Sequence, residues 1–411
     1  MSLVAISNDP RDYAWGSESA IAEYLGRTPS GGPEAELWLG AHAGSPAKLS
    51  DEAGDAVDLA EYIAADPQHA LGPRFADGAR LPFLLKVLAA ETPLSLQAHP
   101  NSEQARAGFE LENEEGVPLE AYDRNYRDPF HKPELIVAVS DTFDALCGFR
   151  SVEQIREIVA VLRAADAASE TPEPGALELL SERLDGPAPL HDAVEWLLRD
   201  GRGGDSGQVA WLVERVVGLA ASDTALASPF NLSFATVTDL ARHYPGDPGI
   251  VISLFLNRVT LRRGEALYLP AGNIHAYLHG LGIELMAASD NVLRGGLTPK
   301  HIDVTELIEV LDFRPVPVPY LAPEDTAPGV ETFRPDVPDF VLHRVDVGPD
   351  AASVAIDGPA IVLVAGGDVT VTGAESSAVV PAGTAVYATP DERELRFEGY
   401  GVSWVATTGR G

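Results

Sequence analysis

The sequence predicts a mainly β protein whose first antiparallel barrel is interrupted by helices and followed by a second, smaller β domain. Three observations carry this. Short β-like runs occupy residues 1–150 and resume near 251. Between them, 151–245, apolar residues recur at helical spacing. Beyond the proline-rich passage FRPVPVPYLAPEDTAPG, at 313–329, a further β-rich stretch begins. The expected division is therefore a discontinuous barrel from 1–150 and 246–318, a helical insertion at 151–245, and a C-terminal β domain at 319–411.

In the first segment, LWLG (37–40), LPFLLKVL (81–88), LSLQAH (94–99) and ELIVAVS (134–140) read as strands between turn-rich pieces. SVEQIREIVAVLRAA then opens with Ser151-x-x-Gln154, the pattern of a capping box, and continues as an amphipathic helix. GALELLSERL, HDAVEWLLRD and GQVAWLVERVVGLA repeat the helical spacing, separated by ETPEPG and DGRGGDSG. Strand character returns in VISLFLNRV (251–259) and GEALYLPAGNIHAYL (264–278), and after 329 in IVLVAGGDVTVTG, SSAVVPAGTAVYAT and LRFEGYGVSWVAT. PAGTAVYA at 381–388 echoes PAGNIHAY at 270–277, with Val386 where His275 stands, which suggests a duplicated barrel lacking that histidine.

At 411 residues the chain is long enough for two or three cores, and 45% apolar residues fit a globular protein. With 29 basic and 62 acidic side chains the formal charge is −33, which argues against nucleic acid or an anionic membrane as partner. An anionic substrate would need a local cluster of Lys and Arg to invert that field. One cysteine, Cys147, cannot form a disulfide framework, the N-terminal residues show no leader, and no apolar run approaches the ~20 residues of a spanning helix. A cytoplasmic protein, monomeric, is the expectation.

Gln97 and His99 are two apart in a strand and share a face, so both can reach one ion. Glu134 follows His131-Lys132-Pro133 at a strand entrance, where it can point inward. In GEALYLPAGNIH, Gly264 and Pro270-Ala271-Gly272 supply turns at both ends of a short strand, leaving His275 to begin the next. Taken alone, each is as readily a polar group on a solvated face or at a turn.

Together they resemble a known family. GEALYLPAGNIH looks like the second metal motif of the cupin barrel, and its continuation HAYLHGLGIELMAASDNVLRGGLTPK (275–300) resembles the long signature of the type I mannose-6-phosphate isomerases, the zinc-dependent phosphomannose isomerases. QAHP (97–100), YRDPFHKPE (126–134), YAWGS (13–17), ELWLGAHAGSPAKL (36–49) and LPFLLKVL also match, so the likeness covers 1–150 and 250–312. It implies a cupin-type jelly roll, one zinc per chain held by Gln97, His99, Glu134 and His275, and interconversion of mannose 6-phosphate and fructose 6-phosphate through a cis-enediol. Arg294 corresponds to an arginine that stabilises negative charge as the enediol forms.

Lys86, in an apolar strand, either snorkels outward or faces a cavity; the resemblance favours the cavity. Proton transfer and ring opening are then divided among Lys86, His131, Lys132 and Asp290, with Glu284 as an outside candidate, while Lys132, Arg294 and Lys300 are the cations near enough in sequence to meet a phosphate. Two departures stand out. Phe130 replaces the family's Asn before HKPE, and Gly295 replaces Ala after Arg294, which should loosen the backbone there. The other histidines, His42, His69, His191, His243, His279, His301 and His343, are read as structural or surface residues, His279 taking the place usually held by Asn in the general cupin motif.

A metal-dependent cupin oxygenase is the first competing class; it would carry more histidine. A non-catalytic cupin that binds a sugar phosphate is the second, and it would have lost a ligand or Arg294. Action on another aldose, or a fused guanylyltransferase, is a third; no glycine-rich nucleotide segment accompanies the barrel.

Overall fold

The computed structural model describes residues 2–50, 56–201 and 207–409. The DGRGGDSG spacer, expected as a break between helices, lies mostly outside the described residues.

The first barrel is a nine-stranded antiparallel sheet organised around one long strand, His275–Ala287. Its first half pairs with Thr142–Phe149 and, at His275↔Gln97, with Leu96–Ala98; its second half pairs with Phe83–Ala90 on one side and Glu134–Ala138 on the other. The handover between partners falls at a register shift between Tyr277 and His279, followed by Gly280 at φ 125°. A Cβ at Gly280 would lie 2.8 Å from the Thr142 carbonyl oxygen and 2.9 Å from Phe143 Cα, so only glycine lets the strand pass this close while curling into a barrel. This single strand therefore carries His275 at one end and Glu284 nine residues on, each facing a different neighbouring strand.

The insertion forms as its periodicity dictates. Val152–Ala167 begins where the Ser151 hydroxyl accepts the Gln154 amide N–H at 3.2 Å, and Pro174–Leu184, Pro189–Asp200, Gln208–Ala220 and Asn231–His243 follow. Their apolar stripes bury Leu162, Leu180, Leu197 and Val216 in one core together with Leu96, Leu146, Phe149 and Ile274 of the barrel, so the helices brace the wall from which the site is built. VISLFLNRV is not a strand throughout. Gly249–Ile252 and Ser253–Phe255 are helical turns, and the strand starts at Leu256. Residues 249–255 are buried on all sides, and a short wholly apolar run carries no period by which to tell helix from strand.

The C-terminal residues form a second, ten-stranded sheet, and this sheet also takes the N-terminus. Leu3–Ser7, expected in the first barrel, pairs antiparallel with Thr384–Ala388, from Leu3↔Ala388 to Ile6↔Ala385. Alternation in LVAIS fixes which side chains face inward but contains nothing about which edge the strand joins. Val386 sits buried in that partner strand, where the echoed motif has His275. The two sheets meet in a shared core in which Leu37, Leu85 and Val137 of the first pack with Leu342, Tyr387 and Trp404 of the second. No described helix is long and apolar enough to cross a membrane.

Candidate metal centre and sugar-phosphate cleft

His99 follows the Leu96–Ala98 strand, Glu134 opens the Glu134–Ala138 strand and His275 opens the long strand, so three segments distant in sequence deliver their side chains to one point. His99 Nε2 lies 3.1 Å from Glu134 Oε1 and His275 Nε2 lies 3.2 Å from Glu134 Oε2. All three residues are at most 2% exposed.

Hydrogen bonding on the far side of each ring fixes what these atoms are. His99 Nδ1–H donates to the Asn291 carbonyl at 2.8 Å and His275 Nδ1–H to the Asn273 carbonyl at 2.9 Å. A carbonyl oxygen can only accept, so both protons sit on Nδ1 and both Nε2 atoms present lone pairs. Burial, with Lys132 adding to it, lowers His99 to about 4, which keeps it neutral. Burial raises the Glu134 carboxyl, but the Lys132 ammonium 3.1 Å away is the first influence opposing it, and the group is held well below the usual range. Lone pairs thus converge on lone pairs, and His99 Nε2, His275 Nε2 and Glu134 Oε2 have no hydrogen-bond partner. Their ligating atoms lie within 4.8 Å of one another, a separation that a divalent cation resolves. Two imidazoles and a carboxylate suit zinc, and Gln97, whose strand position pairs with both His275 and Arg294, lines the cleft above them.

That cleft has a volume of about 730 Å³. Lys86, Gln97, Lys132, Glu134, Glu284, Asp290, Arg294 and Lys300 line it together, so eight of the residues singled out by sequence share one chamber. His131 does not line it. Its Nε2 is 2.8 Å from Asp339 of the C-terminal sheet region, because adjacent residues on an extended stretch face opposite ways and Lys132 takes the inward direction. His279 is exposed on the outer surface and joins no ligand cluster among the described residues.

Lys86 faces inward, 6% exposed, with Nζ 3.0 Å from Glu284 Oε2 and 3.3 Å from Glu36 Oε1. Register makes this unit, since Lys86 pairs with Glu284 on one side and Trp38 on the other. Burial would discharge the ammonium, yet Glu284, Glu36 and Glu134 overcome it and push the group upward. Trp38 closes the cluster by donating Nε1–H to Glu36 at 3.0 Å, its ring 5.1 Å from Lys86 Nζ. Three cations, Arg127, Arg294 and Lys300, line the same cleft. Burial lowers Arg294, and Arg127 lowers it further; burial lowers Lys300, with Arg294 and Arg127 adding to the effect. Mutual repulsion of three cations, half-buried Arg127 and Arg294 with exposed Lys300, in a chain of charge −33 marks a seat for an anion.

Arg127 and Glu36 were not legible as site residues. Arg127 lies inside the YRDPFHKPE match and Glu36 opens the ELWLGAHAGSPAKL match, which were usable signals, but only strand pairing sets Glu36 near Lys86. Asn291 is a third. Fully buried, it accepts the Arg127 amide N–H at 2.8 Å, donates to the Asp128 and Phe130 carbonyls, and receives His99 on its own carbonyl, tying the cation loop to the metal centre. Both departures prove peripheral. Phe130 turns outward with Arg80 3.7 Å above its ring, and a Cβ on Gly295 would meet Ile274 and Leu307 at an ordinary 3.4 Å.

A jelly-roll barrel holding a His₂Glu centre beside a cationic pocket defines a metal-dependent enzyme of small phosphorylated substrates. The chain belongs to the type I phosphomannose isomerases. The model of the family "Phosphomannose isomerase type I, catalytic domain" matches residues 3–152. Mannose-6-phosphate isomerase of Escherichia coli K12 is 36% identical over 399 residues, covering 96% of each chain, and that of Homo sapiens is 34% identical over 396, covering 90% of this chain and 89% of the relative. A crystal structure of zinc-bound mannose 6-phosphate isomerase superimposes with a TM-score of 0.85 at 32% identity, and one of a phosphomannose isomerase mutant from Salmonella typhimurium with 0.86 at 31%, each covering 100% of both chains.

Proposed function

We propose that this isomerase interconverts mannose 6-phosphate and fructose 6-phosphate through a cis-enediol, with one zinc ion per chain held by Gln97, His99, Glu134 and His275. The observation that carries the reading is the convergence of partnerless lone pairs from His99, Glu134 and His275 beside a cleft that Arg127, Arg294 and Lys300 also line. Zinc bound there supplies Lewis acidity toward the substrate's oxygens.

Arg127, Arg294 and Lys300 hold the phosphate, which anchors the sugar chain so that its reacting carbons reach the metal end. Lys132, tied to Glu134 at 3.1 Å, belongs to that end and not to the phosphate seat. Arg294, beside Gln97 in strand register, spans the two and meets negative charge developing on the enediol oxygens. Of the carboxylates lining the cleft, Glu36 and Glu284 are paired with Lys86, Glu134 with Lys132, Glu120 with Arg127, and Asp303 caps a helix. Asp290 faces His42 instead, and we assign it the proton moved between carbons 1 and 2. Lys86 with Glu36 and Glu284 orients the hydroxyls and supplies the second proton exchange.

The test is turnover of mannose 6-phosphate to fructose 6-phosphate by purified protein, before chelation, after it, and with zinc restored. Activity lost and recovered supports the assignment; no turnover by zinc-loaded protein overturns it.

A further inference from the structure

His42 was read from sequence as a structural residue, yet its geometry is that of a group built to act through another. Its Nε2 lies 3.2 Å from Asp290 Oδ1, its side chain is 10% exposed, and its ring stands edge-on to Trp38 with centroids 5.0 Å apart. The Gly44 amide N–H donates to His42 Nδ1 at 3.1 Å. A backbone N–H can only donate, so Nδ1 carries the lone pair and the ring's single proton sits on Nε2, aimed at the carboxylate. From the other direction, the Asp290 amide N–H is held by Asp128 Oδ2 at 2.7 Å. Both partners are thereby fixed before any substrate arrives.

We propose that His42 is a positioning residue for the isomerisation: an imidazole held by the Gly44 amide N–H that aims Nε2 at Asp290 and orients the carboxylate for proton abstraction. The inference rests on the assignment of Asp290 made above. The groups that face Asp290 are His42, Lys132 and Arg127, with the Asp128 carboxylate on its backbone N–H. Asp290 is half exposed, and its partial burial raises the carboxyl; the hydrogen bond and charge of His42 are the largest effects opposing this, Lys132 and Arg127 add to them, and the balance is downward. An Nε2–H donor removed from this balance leaves burial less opposed, so the carboxylate protonates at higher pH.

The experiment compares zinc-loaded wild type, His42→Leu, His42→Gln and Asp290→Asn by the pH profile of kcat and by bound zinc. Leucine keeps the packing against Trp38 and lacks the donor; glutamine restores an amide N–H near the Nε2 position. The expected result is that His42→Leu moves the acidic limb of kcat up by about one pH unit and, because the carboxylate loses its orientation, lowers kcat at neutral pH about tenfold, with KM nearly unchanged and zinc content intact. His42→Gln returns the limb to within about half a unit of wild type. An unmoved acidic limb in a folded, zinc-replete His42→Leu, while Asp290→Asn is inactive, overturns the role of His42. Wild-type turnover by Asp290→Asn overturns the Asp290 assignment beneath it. Loss of zinc in His42→Leu, or failure of glutamine to restore the limb, marks His42 as structural only and overturns the proposal likewise.

Discussion

Replacing Lys86 by methionine removes one cation from between two buried carboxylates, and the outcome follows from distances. Nζ is 3.0 Å from Glu284 and 3.3 Å from Glu36, so at an effective dielectric of ~20 each contact contributes roughly 5 kcal/mol of gross attraction. Desolvating the ions consumes much of this, and removal of one partner from such a buried unit costs about 3–5 kcal/mol. The sign with pH is also determined. Burial raises the Glu284 carboxyl and the wild-type lysine is the main opposing influence, so Lys86→Met raises it further. A carboxyl whose folded pKa exceeds its unfolded value of about 4.3 favours the fold fully only below that value and loses the contribution as pH rises through the folded pKa. Relative to wild type, the variant therefore becomes less stable from pH 5.5 to 7.5, by up to about 2.7 kcal/mol for one proton over two pH units. Urea unfolding followed by tryptophan fluorescence at both pH values measures this, Trp38 being a direct reporter at 5.1 Å. Adding Glu284→Gln should recover a large share of the loss at pH 7.5. A pH-independent deficit, or a double variant no more stable than Lys86→Met, would refute the charge argument and leave packing as the cause.

His99→Ala should lose bound zinc and activity together, checked by metal analysis; turnover in metal-free protein sinks the zinc assignment. Arg127→Ala should raise KM for mannose 6-phosphate about 10- to 100-fold, with little change in bound zinc, because it removes one of three cations facing the anion seat; an unchanged KM contradicts that placement. Gly295→Ala should stay within about 0.5 kcal/mol of wild type in denaturant midpoint, whereas Gly296→Ala, at φ 129° with a Cβ 2.8 Å from Asp247 Oδ1 and 2.9 Å from Gly249 Cα, should cost about 1–3 kcal/mol or more.

The residues proposed to hold the metal were legible because their chemistry is local. Gln97 and His99 share a strand face at spacing two, Pro270 to Gly272 turns the chain into His275, and imidazole and carboxylate are rare in apolar strands. The helical insertion was legible for a similar reason, since a period near 3.6 over 16 residues in Val152–Ala167 needs no distant partner to be recognised. Glu36 escaped notice because a carboxylate before LWLG looks like any strand-end acid until strand register sets Trp38 beside Lys86. His131 misled for the converse reason: it stands among ligands in sequence, but the next residue takes the inward direction.

By itself the sequence determined the periodicities, the turns, the ligand types and the acidity against which any cation cluster must be conspicuous, because each is a property of residues a few positions apart. Only the tertiary structure decided that Leu3–Ser7 joins the second sheet, that Lys86 lies between two glutamates, that Arg127 meets Arg294 and Lys300, and that His42 Nε2 lies against Asp290. Those are pairings across tens to hundreds of residues. Strand register and edge choice set them, and the free energy that selects one edge over another comes from burial in a shared core that no single segment contains.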